Sequence, residues 1–227
     1  VMVGVILVGC KSAQDQPQIG TKLVVIGYVP GFRGELDEKT IDANKLTHIN
    51  YAFVDVKDSM AWLTNLVTDS INFRKLNYLK KDNPNLKILI SIGGWSWSEN
   101  FSDAVLTESS RKKFAGTSAE IVDTYDLDGV DIDWEYPGHA PHNGTPNDKE
   151  NLTLLISELK AALVKAGDSE GKTYLLTFAT GPAQKHMAQI DWARVEPQLD
   201  LIHLMSYNYY GAWDKTTNHN TPLYKPV

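Results

Sequence analysis

Cysteine is almost absent from the sequence, with one residue among 227. A small domain held together by disulfides is therefore excluded. Basic residues are also in the minority, since 22 lysines and arginines face 28 aspartates and glutamates and leave a net charge of −6. That balance disfavours a nucleic-acid partner, because phosphates attract basic surfaces. The remaining composition, 42% hydrophobic and 22% charged, is that of a globular chain long enough to bury one core.

An apolar run covers residues 1–9 and ends at Cys10. It is too short to cross a bilayer but suits the hydrophobic region of a secretory signal. The segment Leu7-Val8-Gly9-Cys10 resembles the lipobox of bacterial lipoproteins, in which the cysteine is acylated. We expect residues 1–10 to be the remnant of such a signal and residues 11–22 to be a polar linker. The protein would then be secreted or held in the cell envelope, on a bacterial membrane only through a lipid on Cys10. The alternative is a buried strand with an unreactive thiol.

From residue 23 onward, short β-rich apolar runs alternate with stretches of helical periodicity. The runs predict strands at 23–28, 47–56, 86–92, 129–135, 174–179 and 201–207. The clearest helix has apolar side chains at 152, 155, 156, 159 and 163, the spacing of an amphipathic helix. Asn147 is expected to cap its start and Gly167 to end it. A second such stripe runs from Phe114 to Tyr125. The alternation predicts βαβ units and a parallel sheet in a single domain over 23–227.

Six such units are too few to close the eight-stranded α/β barrel, the TIM (β/α)8 fold. We expect the chain to hold about the first six β/α units of that barrel and to be truncated at both ends. We also expect it to be a monomer.

Three acidic residues alternate along the predicted strand at 129–135. Because successive side chains of a strand point to opposite faces, Asp131, Asp133 and Glu135 share the face toward the barrel interior. Trp134 and the other intervening apolar residues share the outer face. Buried carboxylates cannot all ionise, so the pKa of at least one must rise. Glu135 lies at the carboxyl end of the strand, the active-site end of a parallel barrel, which predicts it to be a general acid.

Two other interpretations of the acidic segment fit less well. An EF-hand calcium loop would need Thr124 as its first ligand and would place Asp131 where an apolar residue is usual. A solvated acidic strand at a sheet edge would not carry such apolar neighbours. The nearby His139 and His142 form an H-x-x-H spacing without a further ligand, so we expect a solvated loop, no metal and no cofactor.

The run DGVDIDWEYPG, residues 128–138, resembles the signature of family 18 glycoside hydrolases, the chitinase family. Other segments resemble the family's motifs in the same order: Tyr28, Tyr51-Ala52-Phe53, Ser91-Ile92-Gly93-Gly94-Trp95 and Met205-Ser206-Tyr207-Asn208. The resemblance covers residue 23 to the end and implies the (β/α)8 barrel. It also implies hydrolysis of β-1,4 linkages between N-acetylglucosamine units, with chitin or chito-oligosaccharides as the partner.

The resemblance further implies roles for single residues. Glu135 would protonate the glycosidic oxygen while the substrate's own 2-acetamido carbonyl attacks the anomeric carbon, with retention of configuration through an oxazolinium intermediate. Asp133 would hold the acetamido N–H, Asp131 would share a proton with Asp133, and Tyr207 would orient the acetamido oxygen. Asn208 stands where the family often has Asp, so we expect a shifted pH optimum. The tryptophan of the family's last strand is expected to lie outside this chain.

Further positions are implied to contact substrate or to support the site. The expected substrate contacts are Tyr28, Phe53, Gly94, Trp95, Tyr136, Met205, Asn208 and Trp213, and the structural positions are Ser91, Gly93 and Asp128. The two glycines are expected to permit close backbone approach, to substrate or to the neighbouring strand. Two alternatives stay open: an endo-β-N-acetylglucosaminidase acting on N-glycans, and a non-catalytic chitin-binding lectin. Such lectins usually lack the acidic residue at the position of Glu135.

Overall fold

The structure, a computed structural model, describes residues 23–224. The lipobox at Cys10 and the linker at 11–22 lie outside the described residues. Within 23–224 the strands are β1 (Ile26–Pro30), β2 (His48–Lys57), β3 (Met60–Trp62), β4 (Lys87–Gly93), β5 (Gly129–Asp133), β6 (Leu175–Thr180) and β7 (Leu201–Leu204). No helix of this described part is both long and apolar enough to cross a lipid bilayer.

Six of these strands form one parallel sheet in the order β1-β2-β4-β5-β6-β7. Each parallel strand lies beside the next one along the chain, which is the order of strands in a (β/α)8 barrel. The prediction of a partial barrel of six β/α units is confirmed. The short β3 pairs antiparallel with β2 through a tight turn at Asp58 and Ser59, both left-handed. It was not predicted, because three residues are too few to show a period.

The helices are α1 (Leu66–Tyr78), α2 (Phe101–Ala104), α3 (Glu108–Thr124), α4 (Asp148–Glu170), α5 (Gln184–Met187) and α6 (Trp192–Val195). The longer ones bury the stripes that their periodicity predicts. On α3, Phe114, Ser118 and Val122 are buried, and on α4 all five apolar positions of the stripe are buried. These stripes and the outer face of the sheet form the core between the two layers.

The predicted ends of α4 are partly wrong. Asn147 occupies the N-cap position, but its side chain makes no capping hydrogen bond. The helix continues past Gly167 and is capped by Gly171, whose φ of +64° is left-handed. Gly167 instead makes room for the carbonyl of Lys172, which a Cβ there would approach to 2.4 Å.

The two faces of β5 divide as predicted. Trp134, just past the end of β5, is fully buried on the helix side and stacks on Phe101, with ring centroids 5.1 Å apart and planes 9° apart. The strand itself ends at Asp133, where its pairing with Gly93 of β4 also ends. Glu135 therefore lies beyond the paired part of the strand, not on it as predicted.

The ends of the other strands deviate by a few residues. β1 begins at Ile26, after the predicted start, and β7 ends at Leu204, before the predicted end. Leu204 pairs with Thr180, the last residue of β6, and the Met205 N–H still donates to the Thr180 carbonyl at 2.9 Å, where the pairing of β7 with β6 ends. The Met205–Asn208 motif is consequently a loop at the carboxyl end of the sheet.

Candidate active site

A cavity of about 920 Å³ opens at the carboxyl end of the sheet. It is lined by residues that follow several different strands, as barrel active sites are. The lining side chains are Tyr28, Pro30, Phe32, Ala52, Phe53, Trp95, Asp133, Glu135, Tyr136, His139, Lys185, His186, Met205, Tyr207, Asn208 and Trp213. Two acidic residues and many rings thus share one concave surface.

Asp131 lies beneath this cavity, fully buried. Its carboxylate accepts hydrogen bonds from three hydroxyls: Tyr28 at 2.9 Å, Ser91 at 2.8 Å and Thr177 at 2.6 Å. The sheet register explains this, because Ser91 and Thr177 are its partners on the neighbouring strands. His203 Nδ1 lies 3.5 Å from the same carboxylate and 3.0 Å from the Tyr28 hydroxyl. These contacts hold Asp131 in place with its acceptor sites occupied.

Asp133 lies one layer above Asp131 and lines the cavity. Burial raises the pKa of its carboxyl well above the ordinary value, and the charges of Glu135 and Asp131 raise it further. One of its oxygens, Oδ1, is buried and has no hydrogen-bond partner among the described residues. A protonated carboxyl fits that environment better than a carboxylate does.

Glu135 is the acidic residue nearest the opening. Burial also raises the pKa of its carboxyl. Three weaker effects lower that pKa: a hydrogen bond with Tyr136, the charge of His142 and a hydrogen bond with the Trp95 backbone. Its backbone is held from two sides, since its N–H donates to Ser98 Oγ at 2.9 Å and its carbonyl lies 2.7 Å from His142 Nδ1. Two neighbouring carboxyls with raised pKa values can keep a proton available at neutral pH, as acid catalysis requires.

Rings surround the acidic pair. Burial raises the pKa of the Tyr207 hydroxyl, and the negative charge of Asp133 adds to that effect. Tyr136 stacks on His186 with ring centroids 3.7 Å apart. Trp95 and Trp213 are 55% and 69% exposed, which leaves part of each ring accessible to a ligand.

Besides Asp131 and its partner Ser91, three predicted positions lie away from the cavity wall. A Cβ on Gly94 would come within 2.7 Å of the Phe53 ring, so Gly94 serves the packing of that ring. A Cβ on Gly93 would lie 2.3 Å from the Asp133 carbonyl, so the close approach at Gly93 is to the neighbouring strand. Asp128 lies at the opposite end of β5, where it pairs with Lys80 at 2.7 Å and Lys87 at 3.0 Å.

The loop with the H-x-x-H spacing is not simply solvated, so that expectation is corrected. His142 is 7% exposed and packs against Trp95, with ring centroids 4.3 Å apart. Its Nδ1 is hydrogen-bonded to the Glu135 carbonyl. Across residues 23–224 no three His, Cys, Asp or Glu side chains are grouped so as to hold a metal ion.

Three residues around the acidic groups were not predicted, namely Ser98, Thr177 and His203, and the contact of His142 with Glu135 was not predicted either. Thr177 could have been found by aligning the strands, because it pairs with Asp131. The other three depend on how loops and more distant strands fold over the site. No local pattern indicates that these residues contact the acidic groups.

The sheet is parallel and carries neighbouring acidic residues at its carboxyl end, where they lie at a ring-lined cavity. This arrangement is typical of the class of barrel glycoside hydrolases. A family model described as glycosyl hydrolases family 18 matches residues 24–227. The chain belongs to that family.

Named relatives agree with this assignment. Chitinase A1 of Niallia circulans is 34% identical, over 89% of this chain and 36% of its own, and chitotriosidase-1 of Mus musculus is 36% identical, over 82% and 40%. A solved family 18 N-acetylglucosaminidase from Paenibacillus barengoltzii matches with a TM-score of 0.81 and 39% identity, over 90% of this chain and 59% of that one. The chitinase ChiW from a Paenibacillus species, described as cell-surface-expressed, matches with a TM-score of 0.82 and 34% identity, over 90% and 26%. The chain thus spans well under half of these curated relatives.

Proposed function

We propose that the protein is a chitinase that hydrolyses β-1,4 linkages between N-acetylglucosamine units of chitin or chito-oligosaccharides. The observation that carries this proposal is the pair of Asp133 and Glu135, both with raised pKa values, on the wall of a ring-lined cavity. The chitinases among the relatives support the choice of substrate.

Glu135 protonates the glycosidic oxygen in this proposal. The 2-acetamido carbonyl of the substrate attacks the anomeric carbon, so no protein carboxylate has to act as the nucleophile. Asp133 accepts the acetamido N–H and balances the positive charge of the oxazolinium intermediate. Water then opens the intermediate with Glu135 as the base, and the configuration is retained.

Asp131 and Tyr207 complete the arrangement. Asp131, fixed by three hydroxyls below Asp133, shares a proton with Asp133, so that Asp133 can carry the charge when the positive intermediate forms. The Tyr207 hydroxyl donates to the acetamido oxygen and orients it for attack. Asn208 leaves this corner of the cavity without the charge that an Asp would bring.

The experiment is product analysis by mass spectrometry with an N-acetylglucosamine hexamer and the full protein encoded by the gene. We expect shorter oligomers from the wild type and a loss of about 10²–10⁴-fold in turnover for Glu135→Gln, with hexamer binding retained. Glu120→Gln, on the exposed face of α3, is the matched control and should not change turnover. Unchanged turnover in Glu135→Gln would remove Glu135 from its role.

The same assay with a glycoprotein separates the two alternatives. Cleavage of N-glycans without cleavage of the hexamer would indicate the endo-β-N-acetylglucosaminidase. Binding of the hexamer by folded protein without any cleavage would indicate the lectin. Glu135 itself favours an enzyme.

We also propose that Cys10 carries a lipid that anchors the protein to the cell envelope. The support is the lipobox-like sequence before Cys10 and the cell-surface expression described for one relative. Labelled palmitate should be incorporated into the full protein in bacterial cells and not into Cys10→Ser. Equal labelling of both proteins would contradict the anchor.

A further inference from the structure

The backbone N–H and the backbone carbonyl of Glu135 are held by side chains and not by the pairing of the sheet. The pairing of β5 ends at Asp133 on the β4 side and at Ile132 on the β6 side. Beyond that point, the Glu135 N–H donates to Ser98 Oγ at 2.9 Å, and Ser98, itself fully buried, donates to the Gly94 carbonyl at 2.9 Å. Two side chains from other segments therefore replace the ladder at the candidate acid.

The second of these side chains is His142. A carbonyl oxygen can only accept, so the 2.7 Å contact with the Glu135 carbonyl requires the proton on Nδ1 of His142. The same imidazole packs on Trp95 at 4.3 Å with an interplanar angle of 60°. One buried ring thus touches both the backbone of the acid and an exposed ring of the cavity.

The loop that carries His142 is anchored independently of this contact. Asp148 is 1% exposed and accepts hydrogen bonds from Gly138 N–H, Thr145 N–H, the Thr145 hydroxyl and the Ser102 hydroxyl. The short turn Ala140–His142 is closed by the backbone bond from His142 N–H to the His139 carbonyl. The fold of the loop therefore does not require the bond from His142 Nδ1.

We propose that His142 is a positioning residue that fixes the Glu135 carbonyl, while Ser98 fixes the Glu135 N–H. Through its ring, His142 also couples the acid to Trp95. This proposal rests on the proposed function, in which Glu135 is the general acid. A general acid must stay within hydrogen-bond reach of the leaving oxygen, and a displacement of about 1 Å costs on the order of 100-fold in rate.

Two substitutions of His142 separate its two contacts. His142→Phe keeps a ring against Trp95 and loses the donor, whereas His142→Asn places an amide N–H near the position of Nδ1 and loses the ring. We expect kcat of the full protein on a chromogenic chito-oligosaccharide to fall roughly 10–100-fold in His142→Phe, with KM within about 3-fold. In His142→Asn we expect kcat within about 3-fold and a higher KM, because Trp95 loses its support. Full kcat in His142→Phe, or equal losses in both variants, would overturn the proposal.

A second measurement is independent of activity. Nitrogen NMR of the imidazole should show Nδ1 of His142 protonated at neutral pH, with a proton that exchanges slowly with water. An unprotonated Nδ1 would overturn the proposal whatever the kinetics. A wild type that folds and shows this proton but hydrolyses neither hexamer nor glycoprotein would contradict the proposed function and, with it, the positioning role in catalysis. Should His142→Phe fail to fold, Ser98→Ala takes its place, with the same expected fall in kcat.

Discussion

The proposed chemistry needs a charge on the side chain of Asp133, whereas the burial of that side chain disfavours the charge. Burial raises its pKa above that of an exposed Asp, and one of its oxygens lacks a hydrogen-bond partner among residues 23–224. A carboxyl whose pKa is higher in the folded state than in the unfolded state contributes its full stabilisation at pH values below the unfolded-state pKa of about 3.9. This contribution is lost as the pH rises through the folded-state pKa. The contribution of Asp133 to the stability of the fold should therefore decrease as the pH rises.

Asp133→Asn tests this linkage. The amide cannot ionise, so we expect the variant to be more stable than wild type at pH 7 and to lose that advantage as the pH falls toward about 4. A gain of about 1 kcal/mol would raise Tm by roughly 2–4 °C for a chain of this size. Hydrolysis should decrease in the same variant, a trade of activity for stability. Thermal unfolding of both proteins across this pH range is the measurement, and a difference in Tm that does not depend on pH would contradict the account.

Single residues of the site could be predicted only where a local pattern reports their direction. The alternation along β5 placed Asp131 and Asp133 on the inner side and Trp134 on the outer side. Ser98 and His142 could not be predicted this way, because each reaches Glu135 from a loop whose path depends on tertiary packing. Ser98 lies 37 residues from Glu135, and His142, although only 7 residues away, does not share a helix with it, so neither contact follows from a helical or strand pattern.

At the scale of elements, the contact between β4 and β5 depends on one glycine. Gly93 has a φ of +110°, and a Cβ there would lie 2.3 Å from the Asp133 carbonyl of the neighbouring strand. An added methyl group would push the strands apart beneath the cavity. Gly116 offers the opposite case, because it lies in α3 with nothing within 4 Å of an added Cβ.

We expect Gly93→Ala to cost about 2–5 kcal/mol of unfolding free energy, from backbone strain and overpacking. Gly116→Ala should stabilise the protein by about 0.5–1 kcal/mol, because alanine favours the helix. Denaturant unfolding of the two variants beside wild type gives both values. A Gly93→Ala protein as stable as wild type would mean that β4 and β5 are not packed as closely as described.

The elements themselves could be predicted where their periodicity is long. The stripes of α3 and α4 and the parallel strands were predicted, although several of their ends were displaced. The sequence predicts a helix end at Gly167, because glycine often follows a helix. Only the approach of the Lys172 carbonyl explains why a glycine stands there inside α4.

At the scale of the whole molecule, the order of the strands decides where the chemistry lies. Parallel strands that follow one another place all their carboxyl ends on one edge. Residues of β2 and of the loops after β1, β4, β5, β6 and β7 all line the cavity. Strand order could be predicted from the βαβ pattern, because such units have one handedness. The side chains that face one another across the cavity could not, since loops set their positions.

In the proposed mechanism the substrate's own acetamido group replaces a protein nucleophile. Proton NMR during hydrolysis of an N-acetylglucosamine hexamer reports the anomer that forms first, and a fully deacetylated hexamer provides the matched substrate. We expect the β anomer from the acetylated hexamer and no cleavage of the deacetylated one. An α anomer formed first, or similar cleavage of both hexamers, would contradict it.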